Sequence, residues 1–386
     1  MSAFTDSIRL GAAQLTARRM YVIAMVLVPL LTTAFFLSLM HSGLPLRTPV
    51  GIVDKDISPS SRSVTRMLNA EEVLDIRYHY DSFEEAMASV RRGESFGFFL
   101  IPENFERDAV AGKNPSLSLF TNMSFFVPGT LSFKGFKTGA VLTSGGLAQT
   151  KLTAIGLTDR ATQALLQPVV VDSHPIGNPW LNYNYYLTNS FMPALLQLMI
   201  LLVTIYSITI EIKHGTSVRW IQTAGGSVTR ALAGKLLPQL AVWLLTGMAM
   251  LAMMFGFGHF PLNCSIWLIA GAMALMIVAS QALGVFIACA LPNPRLALSV
   301  AALTGILTFS IAAFSYPVPS MYGAIGIFSY ILPVRYYFLI YGAQALNGLP
   351  VYYSRFYFAA LTAFPFVCGC LAWRLKRACL KPVYVP

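Results

Sequence analysis

Residues 20–40 form an apolar run of 21 residues without a single charge. As a helix, a run of that length is enough to cross a bilayer, which needs about 20 such residues. Comparable runs follow at 190–210, 236–257, 266–291, 296–316 and 356–373. A chain of this kind is expected to be a polytopic α-helical membrane protein with six transmembrane helices. The first run is too long in its apolar part for a cleaved signal, and no small-x-small site precedes His41. It is therefore expected to persist as a span. Ahead of it, residues 1–19 carry Ile8, Ala12 and Leu15 at helical spacing with Arg9, Arg18 and Arg19 elsewhere, the pattern of an interfacial helix.

Charge sets the orientation. The net charge is +11, yet residues 41–188 hold thirteen Lys and Arg against fourteen Asp and Glu. The other fourteen basic residues face two acids, Asp6 and Glu211, and no acid follows Glu211. The basicity thus belongs to the membrane part and reads as topology rather than nucleic-acid binding. With both termini inside, twelve basic residues outside the 41–188 block fall on the cytoplasmic face. Only Arg335 and Arg355 fall outside.

That topology exports residues 41–188 as a soluble mixed α/β domain between the first two spans. Strands are expected at 49–54, 73–80, 96–101 and 116–120. A helix is expected over 58–70 with Ser58 as cap and Pro59 at its first position. A second, over 82–93, has Ser82 or Asp81 as cap and stops at Gly93. From 124 to 167 the pattern is helical, but Gly135, Gly139, Gly145 and Gly146 argue against one long helix. Asp54 and Asp56 suit a strand-ending turn more than a cation site. His79 and His174 have no ligand partners at metal spacing, and Asn122-Met123-Ser124 is a glycosylation sequon. The five cysteines all lie in or beside apolar runs, and Cys368-Gly369-Cys370 reads as packing.

Residues 317–355 behave differently. Pro317, Pro319, Pro333 and Pro350 interrupt them, and Arg335 sits in an apolar, aromatic stretch. A central Arg costs about 2.5–3.5 kcal/mol in a spanning helix. Short re-entrant helices dipping into the outer leaflet are expected there instead of a seventh span.

Between the second and third spans lies the polar stretch 211–235, with Lys213, Arg219, Arg230 and Lys235 and one acid, Glu211. It reads either as a plain amphipathic connector or as the surface that receives a push from a soluble motor. The sequence carries no G-x-x-x-x-G-K-[ST], no H-E-x-x-H, no G-x-S-x-G and no acid inside a span. Catalysis, a bound cofactor and a metal site are not expected, and an external motor is favoured over a proton relay.

The order of these pieces resembles the ABC-2 type permeases, in the subgroup of bacterial exporters with a large extracytoplasmic domain. The resemblance rests on PVGIVDKD (49–56) with SPSSR (58–62), and on GFFLIPENFERDAVAG (97–112). It also rests on Asn178-Pro179, on Glu211 with Gly215-Thr216, on SYPVPSM (315–321), on ILPVRYYFLIY (331–341) and on Leu346-Asn347-Gly348. Where family members often have acids, this chain has Lys213 and Val218. The resemblance implies an ABCG-like fold in the bacterial inner membrane. The partners it implies are a second permease copy or homologue, a separate ATPase subunit that binds the ATP, and in some systems a periplasmic adaptor. It implies a coupling loop around Glu211, Lys213, Gly215, Thr216 and Arg219. Gln197, Thr304, Thr308 and Phe309 fall along the expected path, where helix packing is the competing role. Pro317, Pro333, Arg335 and Tyr336 fall at the expected outer gate. The alternative from another class is an anchored protein whose exported domain binds a partner without transport.

Overall fold

In the computed structural model, the described residues are 3–41, 43, 46–111, 113, 115–154, 158, 177–178, 182–312 and 316–380. The chain divides into two compact units, Met1–His41 with Pro175–Pro386, and Ser42–His174.

The first unit is helical. Helix α1 (Ala3–Ala17) leads into α2 (Arg19–Leu39), which contains a π-helical turn at Ile23–Leu27. After the second unit come α7 (Tyr183–Lys213), α8 (Ser217–Thr223), α9 (Val228–Phe257), α10 (Ile266–Ala290) and α11 (Pro294–Ile311). Then follow α12 (Gly323–Ser329), α13 (Pro333–Leu346), α14 (Arg355–Gly369) and α15 (Ala372–Leu380). Among the described residues six helical stretches are long and apolar enough to cross a membrane: α2, α7, α9, α10, α11 and the stretch Val351–Leu380. The pair α12 and α13 is bent by 81° at its break, which Pro333 enforces by opening α13.

Helix α7 starts at Tyr183, well ahead of the 190 expected from hydropathy. Asn182 caps it, accepting from the amides of Asn184 and Tyr185 at 2.9 and 3.3 Å. The Asn178 side chain brackets the same turn by bonding both backbone groups of Asn182. Pro179, Ser315, Lys381 and His174 lie outside the described residues. The last span is broken near 370, so the basic residues Arg374, Lys376 and Arg377 sit on a separate helix, α15.

The core of this unit lies between α7, α9 and α10, with Met192, Leu196, Trp243, Met273 and Ile277 fully buried. The outer faces of α2, α11 and α14 leave large apolar side chains exposed, Phe35, Ile306 and Phe366 among them. Such faces suit contact with lipid or other subunits rather than water.

The second unit is a four-stranded mixed sheet in the order β2-β1-β3-β4. Its strands are β1 (Thr48–Asp54), β2 (Leu74–His79), β3 (Gly97–Ile101) and β4 (Ser118–Thr121). β1 is parallel to both neighbours, and β3 is antiparallel to β4. Helix α3 (Pro59–Asn69) is capped by Ser58 and α4 (Phe83–Arg92) by Ser82. Gly93 ends α4 with φ +77°. Asp54 accepts from the amides of Asp56 and Ile57 at 3.0 Å, which is the turn role. Asp56 in turn accepts from the Glu106 amide of α5 (Phe105–Val110) at 3.0 Å. His79 is exposed.

The glycines of 124–167 do not interrupt a helix. Helix α6 runs unbroken over Phe126–Ala154. A Cβ at Gly135 would lie 2.8 Å from Val73 and one at Gly139 2.6 Å from Leu68. Gly135 and Gly139 are where α6 approaches its neighbours too closely for a side chain, whereas a Cβ at Gly145 would meet nothing within 4 Å. Residues 155–157 and 159–167 lie outside the described set.

Candidate functional site

The stretch 211–235 is a folded crosspiece. Helix α7 is stopped by Gly215, whose φ of +69° a β-carbon resists. There the Thr216 amide donates to the Glu211 carbonyl at 2.9 Å and the Gly215 amide to Ile212 at 3.2 Å. Helix α8 ends the same way at Gly225 (φ +68°), with the Gly226 amide on Ile221 at 3.0 Å and the Gly225 amide on Gln222 at 2.9 Å. Ser227 then caps α9. With both ends closed by their own backbone, α8 is a short rigid rod between two spans.

Beneath it lies a buried ion pair. Glu211 is 6% exposed and Lys235 3%. Lys235 Nζ lies 2.6 Å from Glu211 Oε1 and donates to the Ser207 carbonyl at 2.8 Å. Gln14 Nε2 of α1 donates to Glu211 Oε1 at 2.8 Å, and the Thr216 hydroxyl donates to Oε2. The Trp220 ring of α8 sits 4.6 Å from Lys235 Nζ. Each charge is thus met by an opposite charge and by further donors or acceptors, the condition under which a buried pair holds rather than costs. One carboxylate ties α1, α7, α8 and α9 together.

Two more contacts fasten the crosspiece. The Ser217 hydroxyl donates to the Cys379 carbonyl of α15 at 2.8 Å. Helix α1 lies directly on the start of α9. A Cβ on Gly234 would lie 2.6 Å from Ser7 Cβ, and one on Gly11 3.0 Å from Lys235 Cα. Between α1 and α8 opens a cleft of about 270 Å³, lined in part by Gln14, Arg18, Glu211, His214, Thr216 and Arg219.

Glu211, Thr216 and Arg219 therefore meet at this cleft, and Gly215 shapes its edge. Lys213 is exposed on the last turn of α7 and does not enter the ion pair. Along the expected path, Gln197 is fully buried. Its Oε1 accepts from the Val334 amide at 2.8 Å and its Nε2 donates to Thr308 Oγ1 at 3.4 Å. Thr308 and Thr304 each bond back one turn at 2.7 Å, and Phe309 stacks on Phe191 at 4.8 Å. Gln197 and Thr308 thus join α7, α11 and α13, the helix-packing role for polar groups in a bilayer.

At the far end Pro317 precedes a short turn, Val318–Ser320. Pro333 opens α13, and the Tyr336 hydroxyl donates to the Tyr330 carbonyl at 2.9 Å. Arg335 is 9% exposed, donates through Nη1 to Ser329 Oγ at 3.0 Å, and lies 4.5 Å from the Tyr330 ring centre.

Residues 19–374 match the profile of the ABC-2 family transporter proteins. The chain belongs to that family. It is a multi-pass membrane subunit of a transporter type that works with a separate ABC ATPase. No curated protein matches the chain.

In this ABC-2 chain the sequence pointed to Glu211, and to a basic residue of its own loop or of the ATPase as its partner, but not to which side chains complete its site. Lys235 reads as one more topogenic lysine, although it abuts an apolar run and faces Glu211, the last acid in the sequence. Gln14, Trp220 and Ser217 carry no local signal. Gly234, at the start of a span, and Gly11 are the visible hints that two backbones come close.

Proposed function

We propose that this chain is the permease subunit of an ATP-driven exporter in a bacterial inner membrane. Both termini are cytoplasmic, 41–188 lies outside, and a second copy or a homologue completes the membrane pore. The bias of twelve basic residues to two supports that orientation. The chain carries no P-loop sequence, so ATP hydrolysis belongs to a partner. That ATPase docks on the α1–α8 face and supplies the push.

The observation that carries this reading is the Glu211–Lys235 pair beneath α8. A force on α8 acts on Glu211 through Thr216 and on Lys235 through Trp220, so α7 and α9 shift together. Helix α7 also holds Gln197, fourteen residues earlier, or about 21 Å along the axis. Its contact with the Val334 amide hands the motion to α13 and the bent outer pair. Pro317, Pro333, Arg335 and Tyr336 there form the gate facing outward.

The test is ATP hydrolysis and export by the chain reconstituted with its ATPase. Glu211→Ala and Gly215→Val are expected to insert and dimerise normally while losing stimulated hydrolysis and transport. Wild-type hydrolysis and export in both would reduce 211–235 to a connector.

A further inference from the structure

Beside the α1–α8 cleft lies a second opening of opposite character. An apolar slot of about 470 Å³ sits between α2, α7 and α11. Met20 and Ala24 form one wall, Met199 and Val203 the second, Leu298 and Ala302 the third. Its volume falls in the usual range for a ligand pocket, about 300–1,000 Å³.

The slot has one charged end. Tyr206 closes it, and the Tyr206 hydroxyl accepts from Arg18 Nη1 at 3.2 Å. Arg19 follows in sequence and is exposed. Arg295, also exposed, lies one turn ahead of Leu298 and Ser299 on α11, so it shares the face that lines the slot. The acids of this unit, Glu211 and Asp6, do not neutralise that end. Glu211 is committed to Lys235, and Asp6 lies three helical turns before Arg18.

We infer that this slot binds the acyl chain of an anionic membrane phospholipid, with its phosphate at Arg18 and Arg295. Two features select that occupant. A hydrocarbon wall on three helices excludes a hydrated ligand but accepts a lipid tail. A cluster of arginines at one end fits a phosphate, and basic residues beside a membrane attract anionic lipids by about 1 kcal/mol each. The site does not depend on the direction of transport, so it stands or falls separately from the proposed function.

Native mass spectrometry of the intact chain, titrated with phosphatidylglycerol or phosphatidylcholine, tests it. The protein is expected to retain phosphatidylglycerol roughly tenfold better. Arg18→Gln with Arg295→Gln should bring it down to the phosphatidylcholine level. Ala302→Trp, which fills the slot, should abolish retention of both. Leu303→Trp, on the exposed face of the same helix, should leave retention unchanged and controls for general damage. Equal retention of the two lipids, or unchanged retention in Ala302→Trp, overturns the site. So does an Ala302→Trp variant that loses dimerisation while still holding lipid, since the slot would then seat a second copy.

Discussion

Among the described residues two cations are buried in the membrane unit, and they are treated in opposite ways. Lys235 has a carboxylate at 2.6 Å, a carbonyl at 2.8 Å and an indole face. Arg335 has one hydroxyl, one tyrosine face and an Nε without a hydrogen-bond partner. No acid follows Glu211 in the sequence, so the spans and loops after it offer Arg335 no counter-charge. A lysine is a compact, strongly hydrated charge that needs full compensation when buried. A guanidinium is more weakly hydrated and tolerates an aromatic face in place of an acid. The first cation is therefore a closed fastening. The second is held more loosely.

The largest expected effect fixes which end is which. In a background lacking the native cysteines, Cys at Ser60 or Ser116 should label fully with an impermeant maleimide in outer-permeabilised cells. Cys at Ser227 should not. Labelling at Ser227 alone would put Lys235 at the outer end and reverse the comparison.

Next comes the fastening itself. Lys235→Met strands a buried carboxylate and should cost about 3–5 kcal/mol, read as a lower melting midpoint in detergent. Glu211→Leu combined with Lys235→Met should return most of that stability without restoring stimulated ATP hydrolysis. A single variant that melts like the wild type would mean the pair is not a fastening.

Arg335→Leu should move the other way. With no carboxylate to strand, stability should stay within about 1 kcal/mol of wild type, read as a nearly unchanged melting midpoint. Insertion should be intact while export falls. Normal export at normal expression would leave Arg335 as a snorkelling anchor.

The smallest effect lies outside the spans, at Asp56. Burial opposes ionisation there, but hydrogen bonds from Ser58 and from the amides of Glu106, Phe105 and Asn104 outweigh it. They hold the carboxyl below its ordinary range. Because the folded value is the lower one, this stabilisation is present above the unfolded pKa and is lost as pH falls through the folded pKa. The melting difference between wild type and Asp56→Asn should therefore disappear in acid. A difference that persists unchanged would assign it to shape rather than charge.

What was legible in the sequence follows from the range of each interaction. Ser58, Pro59, Ser82 and Gly93 act on backbone within three residues, and their helices begin and end where those residues say. The six apolar runs are legible because lipid demands length and hydrophobicity from each span by itself. Gln14 meets Glu211 across 197 positions, and Gln197 meets Val334 across 137. No local pattern encodes such a meeting. Gly135 and Gly139 were misleading because a glycine that permits close packing looks, in one dimension, like one that breaks a helix.

The fastening of α8 by both α1 and α15 has a consequence for how the subunit is made. Helix α1 leaves the ribosome ahead of the spans and can meet Glu211 and Lys235 as soon as the second and third spans have been inserted. The acceptor for Ser217 arrives only with Cys379, after every other span. A nascent chain interrupted anywhere before that point has α8 held on one side alone. The crosspiece α8 is thus held on both sides only once the whole run of spans has been made.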